Sequence, residues 1–255
     1  MATRPHGSPG KNRHMRHQFV DCRWKLGKPA LGRELYRRGH IPGASFLDVE
    51  TDLSGTHGPG RHPLPSAEDF ARAAGRAGIG AGVLAAAYDQ GMTGGAARLW
   101  WLLRHFGHDD VAVLGGGIHS WLGPLERGEA EVGPVVFEAR PRAGDTIAAD
   151  DLLARLGDEQ LLLVDARVPE RYRGDVEPID PVAGHVPGAV NWPYTHASPP
   201  PPRVRDAPEI VVYCGSGITA CVDVLALAQA GRPDAKLYPG GWSDWSTRGL
   251  PVERG

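Results

Sequence analysis

The 255-residue chain is long enough for two ordinary domains or one large one. A formal net charge of −2 with 23% charged residues excludes a strongly basic nucleic-acid binder and an acidic disordered tail protein. With 41% apolar residues the chain reads as globular, although Gly 35 and Pro 23 bring it close to the ~25–30% at which aperiodic Gly/Pro-rich chains are read as disordered.

Residues 1–17 hold Arg4, Lys11, Arg13 and Arg16 without an acid, and His6, His14 and His17 without an apolar run. They read as a disordered basic leader and not as a secretory signal. No later stretch approaches ~18 consecutive apolar residues, so no membrane contact is expected. The three cysteines, Cys22, Cys214 and Cys221, make no disulfide framework, and the expected compartment is the reducing cytoplasm.

From residue 18 onward, short apolar runs alternate with helical stretches, the pattern of an α/β fold with a mostly parallel sheet. Strands are predicted over 18–21, 45–47, 83–88 and 111–114, with a helix over 96–106. Glycine and charge replace periodicity over 129–145, the expected linker. Strands are then predicted over 161–165, 189–191, 210–213 and 236–237, with a helix over 216–228; Ser198–Pro202 reads as an exposed connection. Three landmarks recur in the same order. Asp21-Cys-Arg-Trp24 pairs with Asp165-Ala-Arg-Val168, Gly39-His-Ile-Pro-Gly-Ala44 with Gly184-His-Val-Pro-Gly-Ala189, and Gly116-Gly117…Trp121 with Gly240-Gly241…Trp245. The chain is therefore read as two copies of one domain, 18–128 and 146–255, the first with about 20 extra residues before its last landmark.

Chemistry concentrates at Val211-Val-Tyr-Cys-Gly-Ser-Gly-Ile-Thr-Ala-Cys221. A cysteine directly after a buried strand lies at the carboxyl end of the sheet, where open α/β folds place their sites. Gly215 and Gly217 let the following backbone curl into an anion-binding nest that favours a thiolate, which makes Cys214 the nucleophile candidate. Cys221 reads as core packing. Cysteine phosphatases need Cys-x5-Arg, but Thr219 and Ala220 stand where the arginine would be, so phosphoester chemistry is disfavoured. His40 and His185 are expected to tie their turns, and Trp242 is the best candidate for lining a substrate mouth. No Cys/His cluster has metal spacing and no phosphate-binding Gly motif appears, so neither metal nor cofactor is expected.

From about Phe19 onward the chain resembles a tandem-domain sulfurtransferase of the rhodanese superfamily, through both Gly-His-x-Pro-Gly-Ala motifs, both Gly-Gly…Trp motifs, Asp165-Ala-Arg167, Arg171-Tyr-Arg-Gly174 and the Cys214 loop. The resemblance implies two α/β rhodanese-like domains and a persulfide on Cys214. It implies a small-molecule sulfur donor, and a thiol, thioredoxin or cyanide as acceptor. Tyr88-Asp89 replaces Tyr213-Cys214 in the first copy, which should be silent. The loop Cys214-Gly-Ser-Gly-Ile-Thr219 has the form of the 3-mercaptopyruvate enzymes, while thiosulfate enzymes carry cations there. By the same matching, Ser216 joins the catalysis, and Gly215, Gly217, Ile218 and Thr219 cradle the sulfur. Arg171 binds the donor, Arg98 helps hold its carboxylate, and His62 reaches across from the first copy, with Glu50 as relay acid. Ile179 stands where a second donor-binding arginine is common. A thiosulfate-specific rhodanese and a non-catalytic sulfur-relay module are the alternatives.

Overall fold

The computed structural model describes residues 16–196 and 199–255. Most of the basic leader, and Ala197 and Ser198 of the proline-rich connection, lie outside the described residues. Arg16 and His17, expected in the disordered leader, belong instead to β1 (Arg16–Asp21), paired in parallel with Val83 and Leu84.

Two four-stranded parallel sheets carry the chain. In the first, β1 is flanked by β2 (Ser45–Phe46) and β3 (Val83–Tyr88), with β4 (Val111–Val113) beyond, giving the order β2-β1-β3-β4. The second repeats that order as β6-β5-β7-β8, from β5 (Leu161–Asp165), β6 (Val190–Asn191), β7 (Glu209–Tyr213) and β8 (Lys236–Leu237). The inner strands are short apolar runs because helices cover both faces of such a sheet.

The helices are α1 (Leu31–Arg38), α2 (Ala67–Arg76), α3 (Gly95–His105), α4 (Ala149–Ala154), α5 (Pro169–Arg173), α6 (Pro202–Arg205), α7 (Ala220–Gln229) and α8 (Gly241–Thr247). Helix α2 falls in the extra segment of the first copy, and the Ser66 hydroxyl caps it by accepting from Asp69 N at 3.0 Å. In α3 every residue from Gly95 to Leu103 is buried, because it packs on its own sheet and also on α7 of the second copy. One apolar cluster consequently runs from Leu99 and Leu102 through Ile218 and Leu227, joining the two halves. The expected linker has no regular structure, yet Phe137 is buried edge-on against Phe70, and Val135 N donates to Gly75 O, so it straps the first half.

The duplicated landmarks are duplicated interactions. Arg23 forks onto Asp21 (2.6 Å) and donates to Gly39 O (2.7 Å); Arg167 forks onto Asp165 (2.6 Å) and donates to Gly184 O (2.6 Å). Each buried pair thus ties the end of the first strand of its sheet to the Gly-His turn. His40 and His185 donate from Nδ1 to Tyr36 O and Tyr172 O and stack on those tyrosine rings, as expected of turn-tying residues. Asp21→Ala strands a buried guanidinium, so chemical denaturation should show a loss of about 3–5 kcal/mol, with the specific activity of the folded fraction retained.

Candidate active site

Strand β7 delivers Cys214 to the carboxyl edge of the second sheet, and the loop 215–219 leads into α7. The helix starts at Ala220 and not at the predicted 216, because the intervening residues form the loop itself. Its carbonyls are engaged from outside: Trp242 N donates to Cys214 O (2.8 Å), Ser243 N to Gly215 O (2.9 Å) and Arg98 Nη1 to Gly217 O (3.1 Å). Among the described residues no acceptor takes the backbone N–H groups of Gly215, Ser216, Gly217, Ile218 or Thr219. Five free donors on the consecutive residues after Cys214 make an anion-binding nest. Gly241, at φ +59°, allows the approach of α8, since a Cβ there would lie 2.6 Å from Cys214 O.

The first copy builds the same loop and fills it. Ile118 N donates to Asp89 O, as Trp242 N does to Cys214 O, but the Asp89 carboxylate itself accepts from Gly91 N (2.7 Å) and Ala96 N (3.2 Å). A nest occupied by its own carboxylate has no room for a substrate anion.

A cavity of about 570 Å³ opens over the second loop, lined by Cys214, Gly215, Ser216, Ile218 and Thr219 and, from the first copy, by Trp24, Arg61 and Thr93. Of the three cysteines only Cys214 lines it. Burial pushes the Cys221 thiol up to about 12, and its Sγ lies 3.3 Å from Gly217 O, so it serves the packing. Ser216 Oγ lies 2.7 Å from His62 Nδ1, across 154 positions of sequence. Glu50 Oε2 approaches His62 Nε2 at 3.4 Å, longer than a well-formed hydrogen bond. A carboxylate on that side favours the proton on Nε2 and leaves Nδ1 to accept from the Ser216 hydroxyl. Burial, reinforced by the Arg61 and Arg98 guanidiniums, lowers His62 to about 4, so the imidazole is neutral at physiological pH.

Two expectations need correction. Arg98 is fully buried and does not line the cavity; its N–H groups go to the carbonyls of Leu53, His62, Pro63 and Gly217. It is a staple between the His62 turn and the Cys214 loop, with no donor facing a substrate. Trp242 is also fully buried, under the Arg167 guanidinium at 4.7 Å with its Nε1 on Val182 O, and Trp24 takes its expected place at the cavity. Arg171 does line the cavity, held by Glu177 (2.7 Å) and Asp180 (3.1 Å). Ile179 sits on the cavity wall. Sequence reasoning passed over Arg61, whose Nη1 binds Asp180 at 2.7 Å; its only signal was its place directly before His62.

The model of the rhodanese-like domain matches residues 10–123 and 148–248. This chain belongs to the rhodanese family. It is 41% identical to a Pseudomonas aeruginosa protein named "Probable 3-mercaptopyruvate sulfurtransferase", over 89% of this chain and 88% of that one. It is 40% identical to a Mycobacterium tuberculosis protein named "Putative thiosulfate sulfurtransferase SseB", over 93% and 90%. The crystal structure of SseA from Escherichia coli, which has the rhodanese fold, superposes with a TM-score of 0.76 at 35% identity, covering 89% of this chain and 93% of that one. The protein is thus a tandem rhodanese sulfurtransferase using a small-molecule sulfur donor and a thiol acceptor. Among the described residues no helix is long and apolar enough to cross a membrane.

Because His62 titrates near 4 when folded and near 6.5 when free, the unfolded chain binds the extra proton between those values. Folding stability should therefore fall as pH drops from 6.5 to 4, by up to about 3 kcal/mol from this group. Urea titrations across that range should show the slope, and His62→Gln should flatten it.

Proposed function

We propose that the protein takes a sulfur atom from 3-mercaptopyruvate, holds it as a Cys214 persulfide and passes it to a thiol, thioredoxin or cyanide. The observation that carries this reading is the uncharged loop with five free N–H donors and a Ser216–His62 pair beside the thiol. No cation stands within the loop to offset a dianion such as thiosulfate. A monoanionic donor needs none there, because its carboxylate falls to arginines on the cavity wall, of which Arg171 is one. The three cysteines are free, which suits a working thiol in a reducing cytoplasm.

In the first half-reaction the Cys214 thiolate attacks the donor thiol sulfur. The S–S bond forms, the donor C–S bond breaks, and its electron pair passes to the enolate of pyruvate. Ser216, hydrogen-bonded to neutral His62, faces the donor carbonyl and relays the proton that converts enolate to ketone; Glu50 holds the imidazole in the tautomer this requires. The persulfide sulfur then sits among the N–H groups of Gly215 to Thr219 until the acceptor attacks it and restores the thiolate. The first copy contributes His62 and Arg98 but no nucleophile, since Asp89 cannot accept a sulfane sulfur.

Cys214→Ser should abolish transfer from either donor, and mass spectrometry should show a gain of about 32 Da on the native Cys214 peptide only after donor treatment, as covalent catalysis requires. Ser216→Ala should lower kcat with 3-mercaptopyruvate by about 10²-fold or more while sparing thiocyanate release from the preformed persulfide. A higher kcat/KM for thiosulfate than for 3-mercaptopyruvate would overturn the donor assignment.

A further inference from the structure

Besides Arg171, and Arg167 whose N–H groups are spent on Asp165, Glu177 and Gly184 O, the cavity wall holds a guanidinium in a position that only the tertiary structure creates. Arg61 belongs to the first copy, in the turn that also carries His62, and its backbone N donates to Ser243 Oγ of the second copy at 2.9 Å. Its Nη1 is fixed on Asp180 at 2.7 Å, and Asp180, 3% exposed, also accepts from Arg171 Nη2 at 3.1 Å. One buried carboxylate therefore orients two cations from opposite halves of the chain.

What each guanidinium leaves unbound is decisive. Arg171 spends Nε and Nη2 on Glu177 and Asp180, and among the described residues Nη1 has no partner. Arg61 spends Nη1, and among the described residues Nε and Nη2 have none; Nε is buried. The free ends converge. A Cβ built on Gly215 would stand 3.3 Å from Arg61 Nη2 and 3.4 Å from Arg171 Nη1. Glycine keeps open the point beside Cys214 on which the two unsatisfied groups bear, and two guanidiniums around one point make a carboxylate site. Ile179, on the same wall, has no charge to offer.

We propose that Arg61, oriented by Asp180, is the second cation that grips the donor carboxylate, so that the clamp is shared between the two copies. This rests on the carboxylate-bearing donor proposed above. Arg61 fills from the first copy the role that Ile179 cannot play in the second. Donor binding then depends on the docking of the two halves, and the first copy sets donor specificity as well as supporting the loop.

The test uses the full chain and compares wild type with Arg61→Gln and Arg61→Lys. With 3-mercaptopyruvate, Arg61→Gln should raise KM about tenfold or more with little change in kcat, since charge-assisted hydrogen bonds to a substrate are worth at least that. Arg61→Lys should recover part of the loss. Thiocyanate release from polysulfide-loaded enzyme should stay close to wild type, because that step needs no carboxylate; an equal loss there would make Arg61 merely structural and overturn the assignment. Independently of turnover, pyruvate should protect Cys214 of the wild type from iodoacetamide, and Arg61→Gln should need about ten times more pyruvate for the same protection. Protection that is absent in the wild type or unchanged in the variant sinks the clamp. A wild type that fails on 3-mercaptopyruvate yet shows Arg61-dependent protection by pyruvate would remove the donor assignment and leave the clamp standing.

Discussion

The site depends on where the carbonyls of the Cys214 loop find their donors. Backbone groups in a tight loop pair with one another unless something else takes one side of them. Here the N-terminal residues of α8 take Cys214 O and Gly215 O, and Arg98 takes Gly217 O. Among the described residues the N–H groups of the loop are left without partners, as a nest for an anion requires. Gly241 makes this approach sterically feasible, and Arg98, wholly buried, makes it dependent on the first copy. The same guanidinium binds the carbonyls of His62 and Pro63, so one side chain sets both the nest and the histidine that serves it.

The duplication shows how little separates an open loop from a filled one. Both copies share the strand order, the Asp–Arg brace, the stacked histidine and the donation from the Gly-Gly turn to the carbonyl after the strand. They differ in the side chain delivered to the nest. Asp89 satisfies the nest internally and the loop becomes a closed structural element, whereas Cys214 leaves it open. The first copy keeps a function by other means: it presents Trp24, Arg61 and Thr93 to the cavity of the second and His62 to Ser216.

Much of the fold was readable because it rests on local chemistry. The turns need their glycines, the inner strands need apolar runs, and the repeated motifs recur at matching offsets. Helices α1 and α2 escaped prediction because their polar faces break up the apolar pattern, while α4, α5, α6 and α8 are too short to show a period. Cys214 and its loop were legible because the glycines and the strand lie next to one another in sequence. Arg98 and Trp242 were misplaced because motif position says which copy a side chain belongs to but not whether its polar end faces the cavity or the protein interior. Arg61 was passed over because the carboxylate that orients it is more than a hundred residues away.

By itself the sequence determined a duplicated α/β chain, a nucleophile candidate at the end of a strand, and an uncharged Cys-Gly-Ser-Gly loop after it. These follow from residue type and short spacing, which act within one strand-turn-helix unit. Only the tertiary structure decided which guanidiniums reach the cavity, that Ser216 meets His62, and that Asp180 holds Arg61 and Arg171 together. The His62–Ser216 and Arg61–Asp180 contacts cross the interface between the copies, where α3 packs on α7. Long-range burial fixes that docking, and no local pattern encodes it.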